Sequence, residues 1–239
     1  MLSWLYPDTC ELCGERSDTT LCPTCREGLA RVPRPLCLHC GTPTWGKAHE
    51  AQCCEACESL PAGGFDFARS ALLRDENNMS LIYALKYRRA NHLARALAPL
   101  LAEQWKQTPE LRAHDDWVLV PVPVERGRLF RRGYNQAEEL ALALRRILGF
   151  RVWQPLHRLP TAYASQTRLS ARARMINARK AYTLKRSVER RPDSVSPHLL
   201  LIDDVYTTGA TVSACAAVLR RLNGVSCIGV LTLLRAVRG

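Results

Sequence analysis

The sequence predicts an α/β protein with a central, mostly parallel sheet, preceded by a cysteine-rich segment that binds metal. Two observations predict the sheet: apolar runs of strand length, such as residues 199–202, and amphipathic helical patterns between them. Strands that alternate with helices favour parallel pairing with helical crossovers. The third observation concerns the other part of the chain, because nine of the eleven cysteines lie within the first 57 residues.

The chain divides at a cluster of residues that break regular structure, Leu60-Pro61-Ala62-Gly63-Gly64. We predict a metal-binding domain over residues 1–60 and an α/β domain over residues 65–239. The first 59 residues carry too few periodic apolar positions to form a core without metal. With 239 residues, the chain is long enough for one well-buried domain and a small appendage.

The cysteines of the first domain form four CxxC pairs: Cys10/Cys13, Cys22/Cys25, Cys37/Cys40 and Cys54/Cys57. Each pair places two thiolates on one tight turn, so that two pairs complete a tetrahedral site. Without a secretory signal, this clustering favours metal over disulfides. We therefore predict two structural zinc sites, each with four cysteine ligands, and an iron–sulfur cluster as the main alternative.

The pairing of the four CxxC turns is open at this stage. Sequential pairing joins the first two turns and the last two, whereas a cross-braced arrangement exchanges them. Cys53 is a possible substitute for Cys54, and His39 or His49 for a thiolate, although the eight thiolates already suffice.

Periodicity gives the elements of the second domain in chain order. Strands are predicted over residues 65–73, 117–120, 199–202 and 225–234. Helices are predicted over residues 79–87, 91–107, 137–148 and 212–222. Pro121 and Pro123 must end the second strand, because a proline cannot donate to a central ladder. Residues 158–180 are polar and rich in arginine, which favours a mobile loop that passes into a short helix.

The end of the third strand carries the clearest chemical pattern. Asp203 and Asp204 follow the apolar run, at the edge where open α/β sheets place their ligands. A turn of small residues comes next, made of Thr207, Thr208, Gly209, Ala210 and Thr211. Its backbone N–H groups and the start of the next helix form a potential binding site for phosphate. The two carboxylates suit a sugar diol, or Mg²⁺ held through substrate oxygens.

Charge is concentrated in the middle of the chain. The net charge is +12, and residues 126–191 hold 17 lysines and arginines against three acidic residues, a net charge of +14. Arginine binds phosphate oxygens bidentately, so that a polyanion is the natural partner. Tyr134, Trp153 and Tyr163 lie in this segment and could stack on the bases of single-stranded DNA. Core positions for these aromatics, and solvated surface charge for most of the arginines, are the alternatives.

No apolar run approaches the roughly 18–20 residues of a membrane span. The N-terminal residues 1–7 lack the basic and apolar regions of a secretory signal. We therefore expect a cytoplasmic protein without a membrane span.

Residues 199–211 resemble the phosphoribosyl-pyrophosphate (PRPP) site of type I phosphoribosyltransferases, although an unrelated strand, turn and helix is the alternative. Other segments extend the resemblance to the ComF family, which includes competence protein ComFC and GntX-like proteins. They are the CxxC turns, Leu85-Lys86-Tyr87, Val120-Pro121-Val122-Pro123, Arg132-Gly133-Tyr134-Asn135-Gln136, Ser165-Gln166-Thr167 with Leu169 and Ser170, and Arg174 with Asn177. The resemblance implies a double zinc ribbon fused to a type I phosphoribosyltransferase fold.

The resemblance also implies roles for residues. Asp203 and Asp204 would bind the ribose hydroxyls as the catalytic pair, and residues 207–211 would bind the 5′-phosphate of PRPP with its Mg²⁺. A pyrophosphate loop would comprise Val122, Pro123, Val124, Glu125 and Arg126. A flexible loop around Ser165, Gln166 and Thr167 would close over the site.

The function implied is binding of a PRPP-like ligand and of single-stranded DNA, beside a helicase partner, during natural transformation. A catalytically active phosphoribosyltransferase is the first alternative, although no residue set identifies its acceptor. A zinc-ribbon adaptor with a vestigial second domain is the second alternative.

Overall fold

A five-stranded sheet whose described pairings are all parallel lies at the centre of the α/β domain. The structure is a computed structural model, and it describes residues 9–44, 53–58, 64–87, 92–160, 181–189 and 197–237. The strand order is β1-β7-β6-β2-β3, and β4 and β5 form a separate antiparallel pair. The strands are β1 (Phe67–Leu73), β2 (Val118–Pro121), β3 (Arg151–Val152), β4 (Leu156–Arg158), β5 (Tyr182–Leu184), β6 (His198–Tyr206) and β7 (Cys227–Arg235). The predicted α/β class with its parallel sheet is confirmed.

Nine helices lie in the described ranges. They are α1 (Pro23–Glu27), α2 (Glu55–Glu58), α3 (Glu76–Tyr87), α4 (Leu93–Lys106), α5 (Pro109–Arg112), α6 (Arg126–Arg132), α7 (Gln136–Leu148), α8 (Arg186–Glu189) and α9 (Ala210–Leu219). Helix α3 begins three residues before its predicted start at residue 79, and the Asp75 carboxylate accepts a hydrogen bond from the N–H of Asn78 at 2.7 Å. This is the bond of an N-cap residue, which the apolar periodicity does not show.

The two faces of the sheet build two apolar layers. Leu200 and Ile202 pack in one layer with residues of α3, α4 and α7. Leu199 and Leu201 pack in the other layer with residues of α9 and of the β4–β5 pair. Successive side chains of β6 therefore point to opposite faces, and both faces are covered, as is usual for parallel sheets.

Strand β6 is longer than its apolar run. It continues through Asp203 and Asp204 to Tyr206, because Asp203 is in register with Thr232 of β7 and Tyr206 with Arg235. The sequence places the carboxylates after the end of the strand, whereas the structure places them within the hydrogen-bonded ladder. This extension decides the direction in which each carboxylate points.

The cysteine-rich segment lies along β1, which is one of the two edge strands of the sheet. The N–H of Ala68 donates to the carbonyl of His39 at 2.6 Å, and the N–H of Leu73 donates to the carbonyl of Ala30 at 2.9 Å. An edge strand exposes unpaired backbone groups, and these contacts cover part of that edge. The predicted domain boundary, Leu60 to Gly64, lies outside the described part of the chain except for Gly64, and it stays a prediction.

Of the helices in the described ranges, none has the length and apolar character that a membrane span requires.

Candidate functional site

Asp204 lies on the α3 side of the sheet and is almost completely buried, with 8% of its surface exposed. Its Oδ2 atom forms an ion pair with Nζ of Lys86 on α3, at 2.8 Å. A buried carboxylate requires such a partner, because desolvation of an unpaired charge is costly. The α3 helix therefore contributes directly to the carboxylate pair.

Asp203 points to the opposite face and is partly buried. Its Oδ1 atom accepts a hydrogen bond from the backbone N–H of Asp204 at 2.9 Å. Burial, together with the neighbouring charge of Asp204, raises the pKa of Asp203 well above its usual range. The two carboxylates thus differ in environment: Asp204 is neutralised by a lysine, and Asp203 holds a proton more tightly than a free aspartate does.

Within the described residues, no backbone carbonyl accepts a hydrogen bond from the N–H groups of the turn after β6, in which Gly209 is buried. Thr207 and Thr208 are exposed, and Gly209 has φ +76°, which favours glycine. Within the described part of the chain, the N–H of Ala210 bonds to Oγ1 of Thr208 at 3.4 Å, and the N–H groups of residues 207, 208, 209 and 211 have no backbone acceptor. Helix α9 begins directly at Ala210. These donors and the helix start have the arrangement expected of an anion-binding turn.

The segment predicted as the pyrophosphate loop starts beside the carboxylates. The N–H of Val122 donates to the carbonyl of Ile202 at 3.0 Å, and the carbonyl of Val122 accepts a hydrogen bond from Nδ2 of Asn135 at 3.0 Å. Val122 is buried, whereas Pro123, Val124 and Glu125 are partly exposed. Arg126, the last residue of the predicted loop, is the first residue of helix α6. The predicted flexible loop, Ser165, Gln166 and Thr167, lies outside the described residues.

The eight predicted thiolates form two sets of four. Cys10, Cys13, Cys22 and Cys25 make the first set, and Cys37, Cys40, Cys54 and Cys57 make the second. In each set the Sγ atoms all lie within 4.8 Å of one another. This is the sequential pairing, and it uses Cys54, while Cys53 is exposed.

The thiolate geometry fits zinc. The Sγ–Sγ distances are 3.9 Å for Cys13–Cys22 and 3.7 Å for Cys40–Cys54. A tetrahedral site with Zn–S bonds of about 2.3 Å separates its sulfurs by about 3.8 Å. Backbone N–H groups also donate to the sulfurs, as from Cys54 to Cys37 Sγ at 3.3 Å. The spacing is far too long for a disulfide and suits one metal ion in each set.

His39 is engaged elsewhere and does not belong to either set. Its Nδ1 atom lies 3.0 Å from the carbonyl oxygen of Asp66, and its ring stacks on Phe65 with centroids 4.5 Å apart. His49, the other histidine considered, lies outside the described residues. The four thiolates of the second set therefore need no imidazole.

A buried arginine joins the second set of thiolates to the sheet. Arg235, the last residue of β7, donates to the carbonyl oxygen of Cys40 at 2.7 Å and to its Sγ at 3.3 Å. The hydrogen bond from Cys37 and the charge of Arg235 help to lower the pKa of Cys40 to about 5. The same guanidinium stacks on the ring of Tyr206, 4.1 Å from its centroid. Tyr206 immediately precedes the turn of residues 207–211.

A family model described as the double zinc ribbon domain matches residues 1–58. The protein is 32% identical to DNA utilization protein YhgH of Escherichia coli, over 222 residues and 91% of each chain. It is 30% identical to Competence protein F of Haemophilus influenzae, over 221 residues and 90% of each chain. The chain belongs to the ComF family. A ComF relative from Bacillus subtilis, Competence protein ComFC, is 26% identical over 230 residues, which cover 92% of this chain and 86% of the relative.

Membership of the ComF family confirms the resemblance seen in the sequence, including the double zinc ribbon. The sequence also contained residues whose place in the site it did not reveal. Lys86 stood in one of the family-like segments without a role, and it is the partner of Asp204. No sequence pattern pointed to a role for Arg235, because it ends an ordinary apolar strand. Both residues lie far along the chain from their partners, which is why no local pattern identifies them.

Proposed function

We propose that this ComF protein handles incoming single-stranded DNA during natural transformation and binds a PRPP-like ligand at the end of β6. The names of its relatives, DNA utilization protein and Competence protein, support a role in DNA uptake. The observation that carries the ligand proposal is that Asp203 and the Lys86–Asp204 pair lie just before a turn whose backbone N–H groups have no described backbone acceptor.

In this proposal three elements of the chain bind different parts of the ligand. The turn of residues 207–211 binds the 5′-phosphate through backbone N–H groups and threonine hydroxyls. Asp203 and Asp204 accept hydrogen bonds from the ribose hydroxyls. The loop that begins at Val122 lies beside them and binds the diphosphate, with Lys86 adding positive charge. Ionised Asp203 accepts hydrogen bonds at both oxygens, whereas protonated Asp203 keeps less acceptor capacity, so that ligand binding is expected to strengthen as pH rises.

Magnesium fits the chemistry of these donors. Mg²⁺ is usually held by one or two carboxylates together with substrate phosphates, and Asp203 and Asp204 would supply the carboxylates. When bound with the ligand, the ion would neutralise charge on the diphosphate. The protein's own residues bind and orient the sugar and the phosphates around it.

Calorimetry with PRPP and MgCl₂ tests the ligand proposal. We expect the wild-type protein to bind and the Asp203→Asn/Asp204→Asn variant to bind at least about tenfold more weakly, the loss of roughly one charged hydrogen bond. Asp115→Asn is the matched control, because Asp115 is exposed and precedes β2, at the opposite edge of the sheet. Absence of binding to the wild type, or equal binding by wild type and double variant, would contradict the proposal.

The DNA proposal has its own measurement. A fluorescent oligothymidylate should bind the wild-type protein with an affinity that falls steeply with salt, because arginines displace counterions from the phosphates. Binding that is absent at low ionic strength, or insensitive to salt, removes the DNA role and leaves the ligand proposal standing.

An active phosphoribosyltransferase is the second candidate, and the carboxylate pair with its turn favours it. In that reaction an acceptor forms a bond to C1 of the ribose while the bond from C1 to the diphosphate oxygen breaks. The diphosphate leaves with the electron pair, and the acceptor releases its proton to solvent. Release of pyrophosphate from PRPP on addition of a nucleobase mixture would establish this candidate, and binding without release would exclude it for those acceptors.

A further inference from the structure

Helix α6 is built almost entirely of side chains that face solvent. Its sequence Arg-Gly-Arg-Leu-Phe-Arg-Arg holds four arginines and no acidic residue, and none of its seven residues is buried. Phe130 is 91% exposed and Leu129 is 40% exposed. Burial of an amphipathic face normally supplies most of the stability of such a short helix. An exposed phenylalanine among arginines therefore indicates a surface that binds a partner.

Helix α3 extends this surface with two more aromatic rings. Tyr83 and Tyr87 are 56% and 64% exposed. Their ring centroids lie 6.0 Å apart, with an angle of 30° between the planes. The guanidinium of Arg132 lies 4.9 Å from the centroid of the Tyr87 ring and donates to its hydroxyl at 3.3 Å. We call this the α3–α6 surface, made of Tyr83, Tyr87, Arg128, Phe130, Arg131 and Arg132.

The α3–α6 surface adjoins the proposed ligand site from two directions. Lys86 lies on α3 between the two tyrosines and forms the ion pair with Asp204. Helix α6 directly follows the loop that leaves β2 beside Ile202. A polymer bound along this surface would therefore pass next to the carboxylate pair.

We propose that the α3–α6 surface binds single-stranded DNA, with bases stacked on the tyrosine and phenylalanine rings and phosphates held by the arginines. This inference rests on the DNA-binding part of the proposed function and assigns its location. Alternation of exposed aromatic rings and arginines is the composition of surfaces that bind single strands without sequence preference. Unpaired bases offer the flat faces that the rings need, whereas a duplex keeps them stacked inside.

Other partners fit the surface less well. An anionic membrane would select a longer helix with a continuous apolar face, and α6 has only Leu129 and Phe130. An acidic protein would pair with the arginines, but the tilted Tyr83–Tyr87 pair and the Arg132–Tyr87 stack present flat faces that suit planar bases. The vesicle and protein-capture measurements would detect these two partners.

The aromatic residues of the α3–α6 surface are not the ones that the sequence suggested for stacking on bases. The hydroxyl of Tyr134 donates to the carbonyl of Leu85 at 2.5 Å, and the residue is partly buried. Trp153 is partly buried and packs against the apolar layer on the α9 side. Tyr163 lies outside the described residues. Of the segment with net charge +14, helix α6 is the described helix in which arginines accompany a fully exposed aromatic ring.

The test uses the full-length, zinc-loaded protein and a fluorescein-labelled oligothymidylate, with anisotropy read over a series of salt concentrations. Phe130→Ala and Tyr87→Leu should each weaken binding by roughly 5- to 150-fold, the range for loss of one stacked base. Neither should change the slope of log K against log salt. Arg128→Ala/Arg131→Ala should weaken binding and also reduce that slope by about 1.4, or about 0.7 for each lost phosphate contact.

Arg145→Ala/Arg146→Ala is the matched control, because it removes the same charge from exposed positions at the C-terminal end of α7. Its affinity and salt slope should stay close to those of the wild type. Circular dichroism and zinc content confirm that each variant is folded.

The outcomes separate this inference from the function on which it rests. Absence of wild-type binding overturns both. Wild-type binding with α3–α6 variants indistinguishable from the α7 control overturns only the location. Vesicles containing phosphatidylserine serve as a second probe. If the substitutions in the α3–α6 surface abolish vesicle binding while oligothymidylate binding is unchanged, the surface is a membrane site and the inference is wrong. Unchanged oligothymidylate binding with lost capture of a competence partner would assign the surface to a protein instead.

Discussion

The guanidinium of Arg235 donates hydrogen bonds to both the carbonyl oxygen and the sulfur of Cys40, at 2.7 and 3.3 Å. The two residues are 195 positions apart and belong to the last strand of the sheet and to the second thiolate set. Through this contact the α/β domain stabilises a thiolate that belongs to the zinc ribbon. Groups that hydrogen-bond to metal ligands orient them and tune their affinity for the ion.

Arg235→Lys should therefore weaken zinc binding at the second thiolate set by about 10- to 100-fold, because lysine keeps the charge but lacks the planar fork of donors. Titration with a chromogenic chelator measures the affinity. One of two zinc ions should be released at a lower chelator concentration than in the wild type. Arg26→Lys, at an exposed arginine near the first set that pairs with Glu103, is the control. Identical release curves for Arg235→Lys and the wild type would show that the contact does not affect the metal.

The two neighbouring cysteines at positions 53 and 54 give opposite predictions. Cys54→Ser should lower the zinc content from two ions to one for each chain, because Cys54 lies 3.7 Å from Cys40 within the second set. Cys53→Ser should retain both ions, since Cys53 is exposed and lies outside the set. Native mass spectrometry counts the ions and also distinguishes zinc from an iron–sulfur cluster. Loss of zinc in Cys53→Ser with retention in Cys54→Ser would reverse the ligand assignment.

Gly209→Ala should destabilise the protein more than the equivalent change at a glycine with open surroundings. Gly209 has φ +76°, and an added Cβ would clash with the hydroxyl of Tyr206. Gly149 has φ +79° with no heavy atom close to an added Cβ, so that Gly149→Ala measures the backbone strain alone, roughly 1–2 kcal/mol. Urea unfolding compares the two variants.

The hydroxyl of Tyr206 provides a second check on this clash. Tyr206→Phe removes the nearest atom and should recover part of the loss in the Gly209→Ala background, a coupling that a double-mutant cycle measures. If Gly209→Ala and Gly149→Ala lose the same free energy of unfolding, the added Cβ at position 209 does not clash with Tyr206.

Asp203→Asn should raise the thermal midpoint of the ligand-free protein at neutral pH by roughly a few degrees. The folded protein raises the pKa of Asp203 well above its usual range, so that the folded state holds this proton more tightly than the unfolded chain. Stability therefore falls as pH rises from the ordinary aspartate value through the raised value. Asparagine cannot ionise and avoids this loss.

The pH dependence separates this effect from a general change in packing. The increase in thermal midpoint caused by Asp203→Asn should vanish at pH values below the ordinary pKa of aspartate, where Asp203 is protonated in both the folded and the unfolded state. It should be constant above the raised pKa of the folded state. Calorimetric scans at a series of pH values, starting below the ordinary pKa of aspartate and continuing upward, follow this dependence. Asp115→Asn, at an exposed position, should leave the midpoint unchanged at every pH. A gain that persists at the acid end would point to packing rather than to ionisation.

Local chemistry explains what the sequence predicted well. The CxxC turns predicted two sets of four thiolates, because two cysteines on one tight turn leave few other arrangements. The apolar run at 199–202 predicted the central strand, and the helices at 91–107 and 137–148 were placed within two residues of α4 and α7. In each case neighbouring residues determine the structure, so that a window of sequence is sufficient.

The extension of β6 and the partner of Asp204 were not predicted. The ladder to β7 carries β6 through Tyr206 although its last residues include two carboxylates, because backbone pairing does not depend on side-chain polarity. Helix α6 was not predicted either, because its residues face solvent and show no helical periodicity of apolar residues. These features depend on segments distant in the chain, for which periodicity holds no information.

The amino-acid sequence alone determined the metal chemistry, the parallel α/β class and the position of the carboxylates before a turn of small residues. Each can be read from a local pattern: paired cysteines, strand and helix periods that alternate, and carboxylates that follow an apolar run. The tertiary structure alone decided that Lys86 neutralises Asp204, that Arg235 contacts Cys40, and that the exposed rings lie on α3 and α6. Those relationships arise when the sheet brings distant segments to one edge, because only packing fixes which side chains share a low-dielectric environment.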